Sequence, residues 1–143
     1  MKIISRSEGI LAISLRLKTR YVETAQDGII HHSSYVIYYE TARIEYLASK
    51  GYDIHEMESR SILCPVVSMQ AYYLKPLRSL QEIEVRVSVH SYSKVRFEIL
   101  HEIFKDGQKM AYAISSHCFI NANFKPLPIP HELIESFIQE MRK

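Results

Sequence analysis

The feature that most constrains this chain is one long segment, residues 35–50, whose apolar side chains fall on two helical stripes. Tyr35, Tyr39, Ala42 and Tyr46 make one stripe; Ile37, Ile44, Leu47 and Ala48 make the other. A helix lying on a protein surface needs only one apolar stripe, so two predict a helix that its neighbours enclose on several sides. Ser33 or Ser34 stands where an N-cap side chain would accept from the first turn. Gly51 follows the last turn as the left-handed C-terminal residue, and Lys50 complements the negative end of the dipole.

The remainder of the chain has the period of strands. In residues 10–20, Ile13, Leu15 and Leu17 alternate with Ser14, Arg16 and Lys18. Residues 62–74 are apolar-rich, with Val66, Val67, Met69, Tyr72 and Tyr73. Residues 81–91 set Ile83, Val85, Val87 and Val89 against Glu82, Glu84, Arg86 and Ser88. Residues 94–104 repeat the alternation through Val95, Phe97, Ile99 and Ile103, with His101 in the apolar register. Asp106-Gly107 joins this run to residues 109–121 as a hairpin. Pro126, Pro128 and Pro130 interrupt the chain, and Leu133, Ile134, Phe137, Ile138 and Met141 form a terminal amphipathic helix. Four consecutive strands with short turns imply an antiparallel sheet. The pattern predicts one α+β domain over 1–143, an antiparallel sheet of about five strands wrapped around one long central helix.

Composition excludes several functions. The 18 basic and 16 acidic residues leave a net charge of +2, spread along the chain; a dedicated nucleic-acid binder concentrates basic charge on one face. Cys64 and Cys118 are too few for a disulfide scaffold or a structural zinc site, and we expect both to pack as buried apolar residues. No helical His pair or cysteine pair suggests a metal. No apolar run reaches the roughly 18 residues of a membrane span, and the opening twenty residues lack a signal-peptide pattern. The expected compartment is therefore the cytoplasm.

A group of motifs carries a specific resemblance. Arg20-Tyr21, Glu23-Thr24, Gly28-Ile29-Ile30, His31-His32-Ser33-Ser34-Tyr35 and Tyr39-Glu40-Thr41-Ala42-Arg43 follow one another across a strand, a loop and a helix start. Leu63-Cys64-Pro65-Val66-Val67 and Tyr72-Tyr73-Leu74-Lys75-Pro76-Leu77 continue the pattern. Over about residues 10 to 130 the chain resembles the hotdog-fold acyl-CoA thioesterases of the 4-hydroxybenzoyl-CoA thioesterase class, in their YbgC-like branch. The resemblance implies a hotdog fold, an acyl-CoA substrate and hydrolysis to free acid and coenzyme A. It also implies a homodimer with joined sheets and sites at the subunit interface, assembling further to a tetramer. Coenzyme A enters as part of the substrate, and no resident cofactor is expected.

Thioester hydrolysis needs a carboxylate to activate water or attack the acyl carbon, donors for the oxyanion, and an apolar slot for the acyl group. The loop 21–34 and the helix after it supply the first two. One departure matters: the family aspartate follows Glu-Thr, and here that position is Ala25. An aspartate stands two residues later, at Asp27, an offset of about 6–7 Å along an extended loop. Three readings stay open. Asp27 takes over the role through a shifted loop; the loop aspartate is lost and Glu40 on the helix or another group orients the water; or the protein is a weakly active or non-hydrolytic acyl-binding module. Acyl carrier protein thioesters are an alternative substrate. Asp27 is the first choice for the carboxylate, with His32 assisting and Tyr21 accompanying the site. Backbone amides from Gly28 to Ser33 and Ser34, with Tyr35, would face the oxyanion and substrate. Against these stand structural roles: Asp27-Gly28 is a good turn pair, His31 packs, and Glu40 and Arg43 form a buried i,i+3 ion pair. Lys75, Arg78, Lys94 and Arg96 are candidates to meet the phosphates of coenzyme A.

Overall fold

The computed structural model describes residues 12–142 throughout and residues 3–6 as backbone. The sheet runs β1 (Ile3–Arg6), β2 (Ile13–Lys18), β3 (Val66–Tyr73), β4 (Glu82–Tyr92), β5 (Arg96–Lys105), β6 (Gln108–Ile120) and β7 (Pro126–Leu127). The helices are α1 (His32–Ser49), α2 (Ile54–Ser59) and α3 (His131–Met141). All strand pairs are antiparallel, in the order β1-β2-β4-β5-β6-β3, with β7 beside β6. The five expected strands are β2 to β6. The edge additions β1 and β7 are too short for alternation to announce them. Residues 10 and 11 of the expected first strand lie outside the described residues.

The period-2 pattern decides which face α1 covers. Ile83, Val85 and Val87 of β4, Phe97, Ile99, His101 and Ile103 of β5, and Ala111, Ala113, Ser115 and His117 of β6 are all buried. The β5–β6 hairpin turns on Asp106 and Gly107, at φ 50° and 78°, the left-handed pair that a two-residue turn requires.

Helix α1 starts three residues before the expected 35, because His31 caps it and not Ser33 or Ser34. His31 is extended, and its ring Nδ1 accepts from the Ser33 N–H at 3.2 Å. Tyr35, Tyr38, Tyr39, Ala42, Tyr46 and Leu47 are buried, so the first stripe holds. The second holds in part: its Leu47 is buried and Ile44 and Ala48 are half-buried, but Ile37 is 59% exposed within one chain. Sheet covers one side of α1 and leaves the other open.

Lys50 also departs from its expected role. Its ammonium is buried against α3, 3.0 Å from Glu140 and donating to Ser136 at 2.8 Å. Glu140 accepts in addition from the Tyr46 hydroxyl at 2.8 Å and from the Val89 N–H. Five groups from α1 and its C-terminal end, β4 and α3 thus satisfy one another, which fixes α3 on the core. Among the described residues no helix is long and apolar enough to cross a membrane.

Candidate active site

The loop before α1 folds into a small hairpin. Thr24 bridges Ile30, and the Ala25 N–H donates to Ile29 O at 2.7 Å. Asp27 and Gly28 occupy its tip at φ 64° and 71°. Two successive left-handed residues are the requirement of a type I′ turn, and Asp-Gly is a favoured pair for it. The Asp27 side chain is exposed there, as is Ala25. The hairpin docks on the segment after β3: the Ile30 N–H donates to Leu77 O at 2.8 Å, and Arg78 Nη1 donates to Asp27 O at 3.2 Å.

Glu23 holds the base of this loop. Its carboxylate accepts from the Tyr38 hydroxyl at 2.6 Å and from Arg20 through both the backbone N–H and Nε. Burial works against the charge, but the Tyr38 and Arg20 donors outweigh it and keep the carboxyl below its usual range. Glu23 O accepts from the His31 N–H and the Ser34 hydroxyl. These bonds aim the start of α1.

At that start, the Ser33 amide is taken by the His31 ring and the Ser34 amide by His31 O at 2.9 Å. The first-turn amide of His32 has no partner among the described residues. His32 lines an open cleft of about 330 Å³ with Ile29, Ile30, Tyr35, Tyr73, Leu74, Lys75 and Pro76. The Tyr73 hydroxyl donates to His32 O at 3.3 Å, and its ring meets Tyr35 edge-on at 4.9 Å.

Further along α1, Glu40 is exposed at the mouth of a second cavity, of about 250 Å³, between α1, α2 and Cys64–Val66. Arg43 lines the same cavity but is only 7% exposed. The expected Glu40–Arg43 ion pair is absent: among the described residues no carboxylate lies within ion-pair distance of Arg43. Glu40 stands on the open face of α1, and Arg43 turns inward to His101, Nη1 to Nε2 at 3.4 Å. His101 Nδ1 donates to Ala113 O at 3.4 Å. The neighbouring His117 donates from Nδ1 to Pro65 O at 3.2 Å and accepts at Nε2 from the Ser115 hydroxyl at 2.7 Å. Burial, then Arg43, pushes both imidazoles down to about 3. Burial pushes the Cys64 thiol up to about 12, so it is no nucleophile.

A family model described as the thioesterase-like superfamily matches residues 22–137. The chain belongs to that superfamily. A provisionally named esterase of Aquifex aeolicus is 32% identical over 84% of this chain and 93% of its own. YneP of Bacillus subtilis, provisionally named an acyl-CoA thioesterase, is 30% identical over 78% of this chain and 82% of its own. Among solved structures, the DHNA-CoA thioesterase of Staphylococcus aureus superposes with a TM-score of 0.82 at 25% identity, over 90% of each chain. The fold is the hotdog fold of these thioesterases.

In this thioesterase-like protein the residues singled out from sequence fall into two groups along α1. His32, Ser33, Ser34 and Tyr35 gather at its start, with Gly28 and Asp27 on the adjoining hairpin. Glu40 lies eight residues on from His32, about 12 Å along the axis. Tyr21, at 77% exposed, lies just before the hairpin, its carbonyl accepting from the Thr24 hydroxyl. Lys75 and Arg78 flank the hairpin, whereas Lys94 and Arg96 sit at the β4–β5 turn. Cys64 and Cys118 are free and half-buried. Sequence reasoning expected Arg43 to be buried and His101 to share the apolar register, but it missed that Arg43, His101 and His117 meet in one buried set. A larger cavity of about 440 Å³ lies at the other end of α1, lined by Lys50, Tyr52 and Phe119 among others. Among the described residues no His, Cys, Asp and Glu group is placed to hold a metal.

Proposed function

We infer that this protein hydrolyses acyl-CoA thioesters to a free acid and coenzyme A. The observation that carries the reading is the pairing, on one helix, of an unpartnered first-turn amide at His32 with an exposed carboxylate at Glu40. The His32 amide receives the developing oxyanion, and the Ser33 amide joins it when the His31 ring gives way. The His32 imidazole orients the thioester in the cleft, with Tyr35 on its wall. Glu40 takes a proton from water as the water attacks the acyl carbon. The carbon–sulfur bond then breaks, the thiolate receives that proton, and acid and coenzyme A depart. Lys75 and Arg78 at the cleft rim would meet the phosphates.

A second reading keeps the loop carboxylate. It is favoured by Asp27's place two residues from the family aspartate, and it requires the left-handed Asp27-Gly28 turn to open. In either case we propose a homodimer assembling to a tetramer. Among the described residues the outer edge of β3 is unpaired, and it exposes Val66, Val67 and Tyr72, with Leu74 just after it. A second copy adding its own β3 there would cover this apolar edge and Tyr21, and would close the site. No resident cofactor takes part.

Free-thiol release from a panel of acyl-CoAs and acyl carrier protein thioesters tests this. Glu40→Gln is expected to lower kcat at least a hundredfold in folded protein, while Asp27→Asn retains turnover. Loss with Asp27→Asn alone moves the chemistry to the hairpin. No release from any thioester by folded protein refutes hydrolysis and leaves an acyl-binding role.

A further inference from the structure

The guanidinium of Arg43 is the most unusual group in the molecule. It is 93% buried by its 7% exposure, and among the described residues no carboxylate lies within ion-pair distance of its charge. The groups that face it are His101, His117 and Cys64, each held neutral chiefly by burial, with Glu40 beyond ion-pair distance at the cavity mouth. Of its five N–H groups, one meets an acceptor among the described residues, at 3.4 Å. A buried cation is costly unless an anion meets it. Space for one exists, since Arg43 lines a cavity of about 250 Å³ whose other walls include Ile44, Leu47, Met57 and Val66. A largely apolar lining that also carries a buried cation is complementary to a short carbon chain that ends in a carboxylate.

We propose that this cavity takes the far end of the acyl group, and that Arg43 selects acyl groups ending in a second carboxylate. The inference rests on the hydrolase reading with Glu40 as the water-activating group. Arg43 lies three residues beyond Glu40, about 4.5 Å further along the axis. With the attacked carbon about 3 Å from its water, the second carboxylate stands roughly 6–8 Å from that carbon. Glutaryl and adipyl groups have this reach. The Arg43 fork would hold the carboxylate through paired N–H bonds, and Glu40, in contact with solvent at the mouth, repels it weakly.

The test compares kcat/KM for glutaryl-CoA and pentanoyl-CoA, which share a chain length and differ in the terminal carboxylate. Wild-type protein is expected to favour glutaryl-CoA at least tenfold, Arg43→Met to reverse the order, and Arg43→Lys to restore part of it. Equal rates, a preference for pentanoyl-CoA, or a stronger preference for 4-hydroxybenzoyl-CoA over both overturns the proposal. Calorimetric titration of wild-type protein with glutarate and with pentanoate needs neither turnover nor a variant. Selective binding of glutarate is expected, and equal or undetectable binding of both acids overturns the site. Selective glutarate binding without hydrolysis of any thioester would instead refute the hydrolase reading and leave the anion site standing.

Discussion

Acidification from pH 7 to pH 5 should remove roughly 4 kcal/mol of folding stability through two buried histidines. His101 and His117 are fully buried, and each has both ring nitrogens committed as one donor and one acceptor. A second proton on the His101 ring would set donor against donor at Arg43, and one on His117 would force the Ser115 hydroxyl to turn and accept. Burial and that cation hold both rings neutral down to about pH 3. The unfolded chain takes up these protons near pH 6.5, so it binds more protons than the folded chain between 6.5 and 3. Stability is therefore fully present above pH 6.5 and declines as the pH falls. Well inside the window the slope is about 1.4 kcal/mol per pH unit for each ring, and by pH 5 each has cost about 2 kcal/mol. Glu23 and Glu84, held below the ordinary carboxylate range, contribute their losses at lower pH. Urea unfolding at pH 7 and pH 5, at fixed protomer concentration, measures the effect. With a slope of about 2 kcal/mol per molar urea, the midpoint should fall by about 2 M, and in His117→Gln by about half that. A midpoint that moves by less than about 0.5 M would refute the picture of two imidazoles kept neutral by their surroundings.

Three other outcomes follow from the same structure. Glu140→Ala leaves Lys50 and Tyr46 buried without their acceptor and should cost about 3–5 kcal/mol, seen as a fall of roughly 10 °C in Tm by calorimetry. Gly28→Val forces a β-branched residue to φ 71° and should cost about 1–2 kcal/mol, with faster amide exchange across the 24–30 hairpin as the local signature. Val67→Lys places a charge on the open β3 edge and should convert the proposed dimer to monomer in light scattering, with turnover falling in parallel.

Much of the architecture was open to sequence reasoning because its causes are local. Alternation in β4, β5 and β6 names the face that α1 covers, and Asp27-Gly28 and Asp106-Gly107 are turn pairs for reasons of backbone sterics alone. The family motif pointed to the start of α1, where the unpartnered His32 amide lies. Capping was less accessible, since whether His31, Ser33 or Ser34 caps depends on which side chain reaches an amide in three dimensions. The i,i+3 spacing of Glu40 and Arg43 permitted an ion pair. The sheet, by lying under one side of α1 only, drew Arg43 inward to His101 and left Glu40 on the open face. Lys50 was equally unreadable: its partner Glu140 is ninety residues away in sequence and arrives only when α3 docks.

The sequence by itself determined the long helix, the strands, their turns and the superfamily motif, because periodicity and turn chemistry act between near neighbours. Tertiary structure alone decided which charges are buried, which amide stays unpartnered, and that a buried cation lines a cavity beside the candidate carboxylate. Those properties belong to groups that meet across the fold, where desolvation sets the energy of a charge and no spacing along the chain records it.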